Sequence, residues 1–226
     1  MKKNKTRILN RMPKPLQKTQ SSTEELFNSL THAIAIPFGI YGFIYLWTNT
    51  QITSSIAYLG ITLYSLSFIL LFSASASYHI IKNPSLKKKL RILDHISIYY
   101  LIAGTYTPVV LIVLEESKGW LIFSLVWSIA LLGTLMKLFF TGKFEKFSLA
   151  LYLVMGWIVI IDINNLIEKA STTILLYLGL GGLFYTIGAY FYANHKIKSN
   201  HVIWHIFVLI AAVFHFIMIA KILTQL

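Results

Sequence analysis

Seven stretches of this sequence, at 26–47, 56–80, 92–114, 120–136, 147–166, 173–192 and 202–223, are each apolar over close to the twenty residues that a helix needs to cross a bilayer. Nothing else constrains the chain as much. A backbone in hydrocarbon must satisfy its own polar groups, so every stretch is expected as a helix. With 56% hydrophobic and 12% charged residues and a mean hydropathy of +0.67, the chain has more apolar surface than one soluble core of its size can hide. The expected fold is all-α, an integral membrane bundle of seven transmembrane helices whose short loops make consecutive helices antiparallel neighbours. No internal repeat is visible, which argues against a transporter built from duplicated halves.

The net charge of +12 would suggest nucleic acid in a soluble domain. Here the basic residues fall between apolar segments, so they read as topology signals and no nucleic-acid partner is expected. Residues 1–22 form a basic tail, carrying Lys2, Lys3, Lys5, Arg7, Arg11, Lys14 and Lys18, and residues 23–226 the transmembrane domain. No apolar run follows closely enough for a signal peptide. Ser22 with Glu25 three residues later reads as a capping box that opens the first helix. Together with the tail, the second, fourth and sixth loops hold seventeen of the 20 Lys and Arg residues, leaving Lys118, Lys169 and Lys221 on the other side. The positive-inside rule then puts the N-terminus in the cytosol and the C-terminus outside, in a multi-pass protein expected in the plasma membrane.

Drawn on this topology, the polar residues within the spans gather at one end. His79 closes the second helix, Asp94 opens the third, and His201 and His205 open the seventh. His201 and His205, four residues apart, share a helix face and can hold one metal ion together, or can simply meet water at the interface. Ser75 lies one turn from His79 on its face. Glu25, Asn28 and His32 stripe the first helix at the same end. Independent interfacial residues would scatter over both ends. The absence of Cys leaves only nitrogen and oxygen ligands. His79, His201 and His205 would make a tripod with a fourth position open, the build of catalytic zinc sites, where bound water is acidified toward neutrality. Asp94 could take a proton, Ser75 could donate to a developing oxyanion, and the Glu25, Asn28 and His32 stripe could fix the imidazole tautomers. The competing readings are an Arg91 salt bridge for Asp94 and a bond from Ser75 to its own helix backbone.

These residues also carry a resemblance. Glu25-x-x-Asn28-x-x-x-His32, Ser75-x-x-x-His79, Leu93-Asp94-His95 running on to Thr105-Tyr106-Thr107-Pro108, Gly181-Gly182-Leu183-Phe184-Tyr185 and His201-x-x-x-His205 resemble the motifs of the hemolysin III family, within the progestin and adipoQ receptor group. The likeness implies seven helices with zinc held by His79, His201 and His205, and with Asp94 and Ser75 beside the metal's open position. Receptor relatives are similar to ceramide-cleaving amidases. Bacterial relatives carry the name hemolysin and have been tied to membrane homeostasis.

Three functions stay open on the sequence: a zinc-dependent hydrolase of ceramide-like amides or esters, with a lipid substrate or ligand; a cytolytic, pore-forming protein; and a membrane-homeostasis sensor with a structural metal. A pore needs polarity across the whole bilayer, and the sequence shows it at one end. Among the remaining polar residues, His215 reads as a packed histidine, His95 and Asp162 as interfacial, Pro108 as a bend in the third helix, and Gly179, Gly181, Gly182 and Gly188 as sites of close helix packing.

Overall fold

The computed structural model describes residues 20–225. All but the last few residues of the expected basic tail therefore lie outside the described residues. Seven helices are long and apolar enough to cross a membrane: α1 (Ser22–Asn49), α2 (Ser55–Ile80), α3 (Pro84–Val113), α4 (Gly119–Phe140), α5 (Glu145–Lys169), α6 (Thr172–Ala193) and α7 (Asn200–Gln225). No strand occurs among the described residues.

The helix starts differ from the sequence reading in two informative places. The capping box at α1 is one residue earlier: Ser21 Oγ accepts from the Glu24 amide at 3.2 Å and Glu24 Oε2 accepts from the Ser21 amide at 2.9 Å. That register releases Glu25 from capping duty and turns it toward α2. At α3 the helix begins at Pro84 rather than in the low nineties, because Asn83 Oδ1 caps the Leu86 amide at 3.0 Å and Pro84 sits in the first turn, where its missing N–H costs nothing. Lys87, Lys88, Lys89 and Arg91 accordingly ride on a helix rather than in a loop.

Three interior breaks have identifiable causes. In α1 the α-helical run pauses at Ile34, where Pro37 cannot donate to the Ala33 carbonyl. In α3 Pro108 is followed by a π-helical turn, Val109–Val113, the usual accommodation of a missing donor. In α5 the turn Ile158–Asp162 tightens to a 3₁₀ helix. There the Tyr106 hydroxyl of α3 donates to the Gly156 carbonyl at 2.8 Å and accepts from the Val159 amide at 3.1 Å, replacing a rung of the ladder.

α3 is the central helix, with 78% of its apolar window buried, against 22% in α5 and α6. It packs on α2 and α4, while α1 closes against α2 and α7. Gly133 of α4 lets the fully buried Tyr99 ring of α3 lie directly against the helix backbone. The outer faces expose large apolar side chains such as Leu132, Phe139 and Tyr190, a surface that only hydrocarbon suits. Asp162 is not solvated: it is buried and accepts from Ser117 Oγ at 2.6 Å, the Lys118 amide at 3.0 Å and Asn165 Nδ2 at 2.7 Å, tying the α3–α4 loop to α5.

Candidate metal centre

The antiparallel succession of α1, α2, α3 and α7 brings Glu25, His79, Asp94 and His201 to one end of the bundle. One ligand nitrogen from each of His79, His201 and His205 lies within 4.8 Å of the others. The geometry around the rings identifies which nitrogens face inward. His79 Nδ1 donates to Glu25 Oε2 at 2.7 Å and His205 Nδ1 donates to the Asn28 backbone carbonyl at 3.1 Å. The Nε2 atoms of His79 and His201 are buried without a hydrogen-bond partner. Two rings are thus fixed in the tautomer whose Nε2 carries a lone pair, and orphaned buried nitrogens are costly unless something occupies the space between them. A soluble core would not leave them so, and the donor set fits one metal ion with a tetrahedral position to spare.

The neighbours stiffen this arrangement. Lys87 Nζ pairs with Glu25 Oε1 at 3.0 Å, making a Lys87–Glu25–His79 chain across α3, α1 and α2. The His32 ring stacks on His205 with centroids 3.8 Å apart and planes 12° from parallel, and the Phe72 ring lies 4.9 Å from it at an interplanar angle of 75°. Neither His32 nitrogen has a partner. Asn28 contributes its carbonyl; its side-chain amide donates to Gln20 instead, at 2.8 Å. On the α7 side, the Asn200 amide donates to the Phe191 and Tyr192 carbonyls that end α6, at 3.1 and 3.3 Å, and holds the start of α7 in place.

Asp94 and Ser75 line the same cavity as His201 and His205. Both are buried, and the Ser75 hydroxyl makes no bond to its own helix. Arg91, the alternative partner for Asp94, donates to Glu145 Oε1 at 3.3 Å. From this cluster a cavity of about 440 Å³ runs between α3, α5, α6 and α7, walled mainly by apolar side chains such as Leu101, Val109, Leu153, Leu178 and Val208. Gly156 and Gly179, whose missing Cβ atoms would meet nothing within 4 Å, open the α5 and α6 walls rather than packing them. Gly181 is different: it gives way to the His215 ring, which approaches the Leu178 carbonyl at 3.4 Å.

Sequence reasoning missed a second polar group at this end. Lys137, counted among the loop cations, is 2% exposed and pairs with Glu145 Oε2 at 2.8 Å. Arg91 and His95 converge on the same carboxylate, and His95 is buried rather than interfacial. No local pattern announces this, because Lys137 and Glu145 meet across a turn while Arg91 and His95 arrive from α3.

The fold and the clustered histidines define a class: a multi-pass membrane protein with a three-histidine centre that can hold a metal ion at one end of its helices. Within that class the chain belongs to the hemolysin III family. The family model described as Haemolysin-III related matches residues 20–216. The chain is 38% identical to Hemolysin-3 of Bacillus cereus over 192 residues, covering 84% of this chain and 88% of that protein. It is also 38% identical to the Hemolysin-3 homolog of Bacillus subtilis (strain 168) over 187 residues, covering 82% and 88%. A more distant relative is the human Monocyte to macrophage differentiation factor, 31% identical over 174 residues, covering 70% and 68%.

Proposed function

We propose that the chain is a zinc-dependent hydrolase of a lipid amide or ester, with His79, His201 and His205 as the metal ligands. The observation that carries this reading is a cluster of three imidazoles whose ligand nitrogens lie within 4.8 Å of one another, two of which, His201 and His205, line an apolar cavity together with Asp94 and Ser75. An apolar pocket with a few convergent polar groups is the usual form of a lipid-sized binding site. A zinc ion there would supply Lewis acidity toward a carbonyl oxygen and would acidify water. The cavity holds the acyl chain and brings the scissile carbonyl to the polar end. Asp94 takes the proton from the attacking water on a carboxylate oxygen and returns it to the leaving nitrogen or oxygen. Ser75 Oγ–H donates to the carbonyl oxygen as that atom gains negative charge. Glu25 and the Asn28 carbonyl keep the Nδ1 protons of His79 and His205 in place, so that Nε2 faces inward. The cavity wall beyond the cluster is mainly apolar, which favours a lipid tail over an ion-conducting path.

The test is turnover of a panel of lipid amides and esters by purified wild type and Asp94→Asn in one detergent. The variant is expected to keep its zinc and lose about 10² to 10⁴ in rate. Equal turnover with zinc retained would remove Asp94 from the chemistry, and loss of zinc would make it a ligand. A wild type loaded with zinc and inactive on the whole panel would reject the hydrolase reading.

A further inference from the structure

Two cavities meet at the histidine cluster, and their walls differ in chemistry. The apolar one lies among the helices. The other, of about 270 Å³, is bounded by Gln20, Glu24, Glu25, Tyr78, His195 and Asn200 among others. His201 and Tyr192 line both. His201 of the cluster, with Tyr192, therefore stands in the partition between a mainly hydrocarbon-walled space and one whose walls carry several hydrogen-bonding groups. The polar cavity is a built feature: Ser199 Oγ donates to Glu24 Oε1 at 3.0 Å, stitching the α6–α7 loop to α1, and Asn200 is tied to the end of α6.

An acyl amide or ester has two halves, one on each side of the scissile bond. With the acyl half in the apolar cavity, the other half faces the polar one. A second hydrocarbon chain there would displace water from the polar side chains of Gln20, Glu25, His195 and Asn200, which a polar group solvates better. A short group bearing hydroxyls or amides meets donors and acceptors among Gln20, Glu25, His195 and Asn200. We infer that the polar cavity is a headgroup subsite, and that the chain acts on single-chain acyl amides or esters of a small polar amine or alcohol in preference to two-chain lipids such as ceramides. The covalent step is hydrolysis: the water oxygen bonds to the carbonyl carbon, the C–N or C–O bond breaks, and a proton ends on the leaving atom. This narrows the substrate of the proposed hydrolase and rests on that reading for its chemistry; the binding preference stands apart from it.

The experiment uses full-length zinc-loaded protein with N-lauroylethanolamine, N-lauroylsphingosine and lauric acid as probes. His195→Trp fills the polar cavity from its exposed loop side, and Val202→Phe fills it from α7, so that one variant guards against misfolding of the other. Wild type is expected to show kcat/KM at least about tenfold higher for N-lauroylethanolamine than for N-lauroylsphingosine. Each filling variant should lower that value by a similar factor, mainly through KM, while the rise in thermal midpoint produced by lauric acid stays as in wild type. Faster turnover of the two-chain probe, or folded variants that leave N-lauroylethanolamine unaffected, would overturn the subsite. If no probe is hydrolysed, binding decides. A thermal-midpoint rise from N-lauroylethanolamine in wild type that the filling variants lose keeps the subsite and rejects the hydrolase; an equal rise in all three, or none in wild type, rejects the subsite.

Discussion

Glu25 and Asn28 both serve imidazoles, but through different atoms. Glu25 uses a side-chain carboxylate on His79, while Asn28 uses its backbone carbonyl on His205. Glu25→Gln keeps the shape and removes the charge that orients His79, so zinc affinity is expected to fall about 10- to 100-fold in competition with a chelator. Asn28→Ala leaves the carbonyl where it was, and its zinc affinity should match wild type. Equal losses in the two variants would mean that the α1 stripe acts by packing rather than by these two bonds. The sequence displayed His79, His201 and His205 because ionisable groups in apolar helices stand out, and the i, i+4 spacing put two of them on one face. It displayed the Glu25, Asn28 and His32 stripe for the same reason. It could not display which atom of Asn28 points at His205, since a backbone carbonyl has no signature of its own, nor that His32 stacks on a ring 173 positions away instead of bonding through its nitrogens.

Helix breaks divide by where their cause lies. Pro37 and Pro108 act on their own helices and are visible in the sequence. The 3₁₀ turn of α5 is not, because its cause, the Tyr106 hydroxyl, is on α3. Tyr106→Phe leaves the Gly156 carbonyl and the Val159 amide without that partner, which should cost about 1–3 kcal/mol and lower the apparent thermal midpoint by several degrees in detergent. An unchanged midpoint would show that α5 satisfies this turn without α3. The ends of α3, α4 and α5 offer a second comparison. Glu145→Gln leaves the buried Lys137 ammonium and the Arg91 guanidinium without their shared carboxylate, a loss of about 3–5 kcal/mol when one partner of a buried pair is removed. The double variant Lys137→Met with Glu145→Gln should recover part of it, and a double variant less stable than Glu145→Gln alone would contradict the pairing. The one-residue shift of the α1 cap belongs here as well: Ser21 and Ser22 both precede a Glu by three, and the ties of Glu25 to His79 and Lys87 and of Glu24 to Ser199 go with the earlier register.

At the scale of the whole molecule, seven helices long and apolar enough to span a membrane were legible from hydropathy alone, and seven crossings would carry the chain from one side to the other. Among the described residues, Lys87, Lys88, Lys89, Arg91, Lys137 and Lys146 ride on helices instead of loops, yet they stay at the end of the bundle that holds His79 and His201. A reporter fused ahead of Met1 is expected in the cytosol and one after Leu226 outside; both on one side would contradict the count. The depth and shape of the cavities were not legible, because they arise where α3, α5, α6 and α7 fail to fill the space between them, and no single segment records that. The account turns on His79, His201 and His205 holding one metal ion together. The most direct measurement is the metal content of the purified protein for wild type, the three single His→Ala variants and His215→Ala. About one zinc per chain is expected in wild type and in His215→Ala, and most of it should be lost from each of the other three. A wild type purified and equilibrated with zinc that holds none, or a His205→Ala variant that keeps it all, would contradict the centre as drawn.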